Sequence, residues 1–123
     1  MKYLVIVFVL IALSVADNFE ECAKETEISA EEITRFKNDD LTSNDPKAHC
    51  FVKCLFRKKE FFDDEGLPQP PKIGRYLAEK NPGKNIKEIM ADCLQMISED
   101  GEVACETTYL RYKCAFGKGL LII

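Results

Sequence analysis

The sequence predicts an all-α fold, about six short helices tied together by three disulfides. Three observations lead there. Apolar residues recur at offsets of three and four almost throughout, the repeat of one helix face. Six cysteines, Cys22, Cys50, Cys54, Cys93, Cys105 and Cys114, all follow an N-terminal segment of secretory type. An even count in a short secreted chain reads as a disulfide framework. No segment carries a strand pattern of comparable strength.

The secretory segment is Met1–Ala16, MKYLVIVFVLIALSVA. Lys2 supplies a basic start, Leu4 to Leu13 an apolar centre, and Ser14-Val15-Ala16 a small-x-small end. That is the layout of a signal peptide, and the apolar run is shorter than the roughly 20 residues of a membrane span. Cleavage after Ala16 is expected, leaving one domain, Asp17–Ile123, in extracellular fluid. Without Lys2 the chain holds 16 basic and 21 acidic residues. Its average field repels nucleic acid and anionic membranes.

The elements follow in order. Ser29 and Glu32 form a capping box opening a helix that carries Ile33 and Phe36 on one side. Asp45-Pro46 opens the next, Asp as cap and Pro at the first helical position, and it is expected to run to about Glu60. Asp63 to Pro71, acidic and then proline-rich, reads as a loop. A short helix carries Ile73, Tyr76 and Leu77 and ends at Asn81-Pro82-Gly83. The clearest stripe is Ile86, Ile89, Met90, Cys93, Leu94 and Ile97, closed by Glu99-Asp100-Gly101. A last helix is expected from about Val103 to Phe116, ended by Gly117 and Gly119. The aliphatic end, Leu120 to Ile123, should dock onto the body or form a contact surface, since each residue gains roughly 1.5–3 kcal/mol on full burial.

Several chemistries are set aside on the residues. Zinc wants four N or S ligands, but no C-x₂-C pair is present and the secretory route oxidises thiols. A Cys-His nucleophile needs a free thiolate, and His49 and Cys50, being adjacent, face different sides of a helix. No G-x-S-x-G elbow or phosphate-binding glycine loop occurs. No enzyme activity, cofactor or metal is expected. What remains is a scaffold with apolar faces. Disulfides lower the packing a small helical body needs, so such a body can keep an internal cavity.

The cysteines are separated by 27, 3, 38, 11 and 8 residues. Six cysteines allow fifteen pairings. A Cys50–Cys54 bond is geometrically poor because both lie on one helix face with nearly parallel Cα–Cβ directions, which leaves twelve open. The spacing, with three residues between the second and third cysteines and eight between the fifth and sixth, closely resembles that of the insect odorant-binding proteins of the pheromone and general odorant-binding type. The resemblance runs from Cys22 to Cys114. It implies the interlocked pairs Cys22–Cys54, Cys50–Cys105 and Cys93–Cys114 and about six helices around a buried apolar pocket. It implies a carrier of small hydrophobic ligands such as odorants, pheromones or fatty-acid-like molecules. In such proteins the C-terminal segment can fold toward the pocket, and here nine residues follow Cys114.

Ligand contacts are expected from the inward stripes: Phe51, Leu55 and Phe56; Ile73, Tyr76 and Leu77; Met90, Leu94 and Ile97; Tyr109, Tyr112 and Phe116. Leu121 and Ile122 are candidate lid residues. Met90 and Met96 suit an adaptable wall, and one of Tyr76, Tyr109 or Tyr112 could orient a polar head group. Loop carboxylates and His49 suggest pH-dependent release. A homodimer and a membrane receptor are further candidate partners. The alternative function is a secreted interaction protein that dimerises through its apolar tail and has no physiological small ligand.

Overall fold

The computed structural model describes residues 18–94 and 103–122. The expected signal peptide, Met96, Ile97, the Glu99-Asp100-Gly101 helix end and Ile123 lie outside them. The described residues form six helices: α1 (18–26), α2 (Ala30–Lys37), α3 (Pro46–Lys58), α4 (Pro70–Lys80), α5 (Ile86–Leu94) and α6 (Cys105–Gly117). An isolated antiparallel bridge, Phe62 to Pro68, is the β-type pairing among these residues.

The helix starts follow local chemistry. Ser29 caps α2, its hydroxyl accepting the Glu32 N–H at 3.2 Å. Asp45 caps α3, its Oδ1 accepting the Lys47 N–H at 2.9 Å, with Pro46 in the first turn. α4 begins earlier than the loop expected through Pro71. Pro70 and Pro71 occupy the first turn, where the missing N–H costs no helical bond and the fixed φ is already helical.

Three helices stop by the same device. Asp39 (φ 61°), Glu60 (φ 61°) and Gly119 (φ 86°) are left-handed just past α2, α3 and α6. In each case the next N–H reaches back five residues: Asp40 to Arg35 O at 2.9 Å, Phe61 to Phe56 O at 3.1 Å, Leu120 to Ala115 O at 3.2 Å. This is the Schellman closure. It ends α3 at Lys58 rather than near Glu60 and turns the chain sharply after α6.

α3 and α6 form the centre, with α5 against α6 and α4 against α5. α3 is covered on two sides. Phe51 and Leu55, one turn apart, join Cys22, Ile28 and Ala48 in a cluster beneath α1. Val52 and Phe56, the pair rotated by one residue, join the larger cluster with α4, α5, α6 and the tail. Phe36 touches both clusters, its ring 5.7 Å from Phe51 and 5.8 Å from Tyr112. Three disulfides brace this arrangement: Cys22–Cys54 joins α1 to α3, Cys50–Cys105 joins α3 to the start of α6, and Cys93–Cys114 joins α5 to α6. They close separations of 32, 55 and 21 residues, about 3–4 kcal/mol each in the chain-entropy model.

Candidate functional site

Between α3, α4, α5, α6 and the tail lies a cavity of about 70 Å³. α3 gives it Phe56, α4 gives Ile73 and Leu77, and α5 gives Ile89, Met90, Cys93 and Leu94. α6 adds Thr108, Arg111, Tyr112 and Ala115, preceded by Val103. The loop after α3 adds Phe61, Phe62 and Pro68, and the tail adds Leu120 and Ile122. The exposed wall is almost wholly apolar. Thr108 spends its hydroxyl on its own helix, donating to Ala104 O at 3.1 Å.

The loop is shaped for this task by one carboxylate. Asp63 Oδ1 accepts the N–H of Glu65 and of Leu67, both at 2.9 Å, and Gly66 (φ 80°) supplies the left-handed turn. Gln69 N–H closes on Phe61 O at 2.9 Å. The acidic tip stays in water while Phe61, Phe62 and Pro68 face inward.

The tail docks on the body. Leu120 is 1 % exposed and Ile122 5 %, while Leu121 is 61 % exposed. An extended segment alternates its side chains, so adjacent residues cannot both face the cavity. Leu120 and Ile122 therefore face the cavity, and Leu121 does not. Asn81, buried at the end of α4, holds the backbone of Leu121 from both sides: its Oδ1 accepts the N–H at 2.7 Å and its Nδ2 donates to the C=O at 2.9 Å. Tyr76 adds a hydrogen bond from its hydroxyl to Ile122 O at 2.9 Å.

Of the residues expected from sequence, Phe56, Ile73, Leu77, Met90, Leu94, Tyr112 and Ile122 come together at this cavity. Phe51 and Leu55 do not, because they face α1 from the other side of α3. Tyr76 sits behind the wall, its ring edge-on to Phe61 at 5.1 Å. Tyr109 turns to the loop before α3, its hydroxyl accepting the Ser43 N–H at 3.3 Å and its ring 4.4 Å from His49. Phe116 stacks on the far side of Tyr112 at 6.2 Å. Leu121 points to solvent, and Ile97 falls outside the described residues. His49 donates from Nε2 to Ser43 O at 2.7 Å and is not among the lining residues.

Sequence reasoning missed Phe61, Phe62 and Pro68 because they lie in a loop with no helical repeat. The aromatic pair directly before an acidic turn was the available signal. It also missed Val103 and Ala115, which belong to no clean stripe. The phenol of Tyr112 is pushed up to about 12 by burial first, then by the Asp39 carboxylate and Tyr109. Across the pH range of body fluids it stays neutral beside the cavity.

The arrangement can hold an apolar molecule and offers no group for acid–base or nucleophilic work. Fold and cavity together define a class, the disulfide-braced helical protein built around an apolar binding cavity. Residues 11–118 match the model of the PBP/GOBP family, and the chain belongs to that family. It is 26% identical to odorant-binding protein 22 of Aedes aegypti, over all of this chain and 95% of that protein. It is 27% identical to general odorant-binding protein 99a of Drosophila melanogaster, over 98% of this chain and 92% of that protein. Among solved structures, the fatty acid binding protein OBP56a from the oral disk of the blowfly Phormia regina superposes with a TM-score of 0.66 at 27% identity. That match covers 87% of this chain and 89% of the blowfly chain. The family and these relatives are odorant-binding proteins rather than enzymes. No helix among the described residues is long and apolar enough to cross a membrane.

Proposed function

We propose that this chain is secreted after loss of Met1–Ala16 and carries a small hydrophobic ligand through aqueous fluid in the cavity between α3, α4, α5, α6 and the tail. The ligand is an odorant, a pheromone or a fatty-acid-like molecule. The observation that carries the reading is the apolar wall itself, contributed by four helices, a pinned loop and a folded-back tail. Membership of an odorant-binding family supports it, and so does the likeness to a blowfly protein described as fatty acid binding.

The volume adds a mechanism. About 70 Å³ is far below the roughly 300–1,000 Å³ of small-molecule sites, so a ligand must enlarge the cavity as it enters. Met90 suits that movement: its side chain is unbranched, and it lies opposite Gly74, where even a methyl group would stand 3.3 Å from the sulfur. Each buried ligand methylene contributes about 0.8 kcal/mol before the entropy costs of binding, so a chain of ten carbons gains about 8 kcal/mol gross and longer chains more, without a polar anchor.

Native mass spectrometry of protein taken from the animal tests the reading, with a co-purifying lipid or volatile as the expected result. A fluorescent hydrophobic probe that fails to bind between pH 5 and pH 8 would overturn it. The interaction-protein alternative has less support. The docked tail leaves Leu121 as its exposed apolar side chain among the described residues, well short of the roughly 800 Å² per partner of a specific interface.

A further inference from the structure

Between α4 and α5 the cavity shares its wall with a second apolar feature. An open groove runs along the outside of the two helices, lined by Pro70, Pro71, Gly74, Ile86, Lys87 and Ala91. Met90 and Leu94 line the groove and the cavity alike. Both are only partly buried, with one side toward the enclosed space and one toward the groove. Gly74 lies in the interior of α4, where glycine is less favourable than alanine. Its backbone is not left-handed, so conformation does not call for it. The requirement is the approach of Met90: a Cβ at position 74 would stand 3.3 Å from the sulfur, tighter than an ordinary contact. A flexible thioether thus plugs a gap that a side chain at 74 would fill permanently.

The interior has no place for a polar group. Three polar side chains of α6 line it, Thr108, Arg111 and Tyr112, but they present carbon, since the exposed wall is almost wholly apolar. Arg111 contributes its methylene stem, as long cationic side chains commonly do. A head group drawn inside would lose water without gaining a hydrogen bond, which is unfavourable. The cavity is also far smaller than a site that encloses a whole ligand. Both facts require part of an amphiphile to lie elsewhere, and the groove is apolar, adjacent and bordered by exposed residues.

From this continuity we infer that the α4–α5 groove is the outer half of the ligand site. It takes the polar end of a single-chain amphiphile whose hydrocarbon end fills the cavity, the chain crossing the wall where Met90 lies over Gly74. Rotation of the Met90 side chain joins the two spaces. The inference rests on the carrier reading and narrows its ligand class to molecules that are polar at one end only.

Affinity labelling tests the placement. Lys87→Cys puts a thiol in the groove, and Leu121→Cys puts one on the exposed face of the tail as a control. Each variant of the mature protein is treated with dodecyl methanethiosulfonate, which is reactive at one end of its chain, and with the methyl reagent. Labelling rates are read by intact mass. A chain held in the cavity keeps its head beside residue 87, so the dodecyl-to-methyl rate ratio should be at least about tenfold higher in K87C than in L121C. Excess 1-dodecanol should abolish that difference. Ala91→Cys, in the same groove, should behave as K87C does. Equal ratios in groove and tail variants, or a higher one in L121C, overturn the groove site. So does a wild-type preference for dodecanoate over 1-dodecanol that disappears in Arg111→Gln, which would place the head inside the cavity. In these cases the carrier reading stands if 1-dodecanol displaces a fluorescent probe from the wild type, and falls as well if it does not.

Discussion

The tail is held by few groups, and Asn81 is the one to perturb. Asn81→Ala removes the hydrogen bonds to the N–H and C=O of Leu121 and the third from Nδ2 to Leu77 O at 2.9 Å. Two of these fasten the tail. At about 1 kcal/mol net for each, the docked tail loses about 2 kcal/mol relative to the open one. Leu120 and Ile122 remain apolar and still favour docking, so the tail should loosen rather than detach. If the tail must lift for ligand to leave, 2 kcal/mol corresponds to about a 30-fold faster release. The assay is stopped-flow displacement of a bound fluorescent probe by excess competitor, with urea unfolding run beside it. Leu121→Ala is the control: its side chain is in solvent and should change neither measurement. A release rate within twofold of wild type in N81A, with stability reduced as expected, would refute the tail as the gate.

Other outcomes follow from the same structure. Replacing Cys50 and Cys105 together by Ala should cost about 2–5 kcal/mol in urea unfolding, because their bond closes the longest of the three loops. Gly74→Ala should raise stability by about 0.5–1 kcal/mol through helix propensity, provided the flexible Met90 sulfur yields its few tenths of an ångström; a loss would mean that the α4–α5 wall is rigid. Glu21 and Glu60 are held below their ordinary 4.5 by hydrogen bonds from Lys58 and Lys72, and Asp40 below 3.8 by the Thr42 hydroxyl. Depressed carboxylates stabilise the fold fully above their unfolded values and lose that contribution as pH falls through the folded ones. The melting temperature should therefore vary little through these three groups from pH 7 to 5 and fall below about pH 4.5, with protons taken up on acid unfolding. Tyr112, raised to about 12, has the opposite sign: its contribution is complete below pH 10 and lost between 10 and 12, which ultraviolet titration of the tyrosines would record.

Much of the fold was legible because it is written in local chemistry. Ser29, Asp45 and Pro46 cap helices wherever such a pattern occurs, and their geometry here is what short-range hydrogen bonding demands. Legibility fell where two faces of one helix are both buried. Phe51 with Leu55 and Val52 with Phe56 are equally good stripes, and only the placement of α1 on one side and α6 on the other assigns the first pair to the core and Phe56 to the cavity. The same limit explains Tyr109 and Phe116. Their spacing with Tyr112 is helical, yet one turns to Ser43 and the other stacks behind the cavity wall.

By itself, then, the sequence determined an all-α chain with six cysteines at family spacing, acidic on average, and lacking any constellation for catalysis. Periodicity, capping and cysteine count are properties of neighbours along the chain, and a reader of the chain can see them. Tertiary structure alone decided which apolar face encloses space, how small that space is, and that Leu120 rather than Leu121 turns inward. Those are relations between faces of different elements. They depend on where the Schellman turns and disulfides send each helix, and no local pattern carries that information.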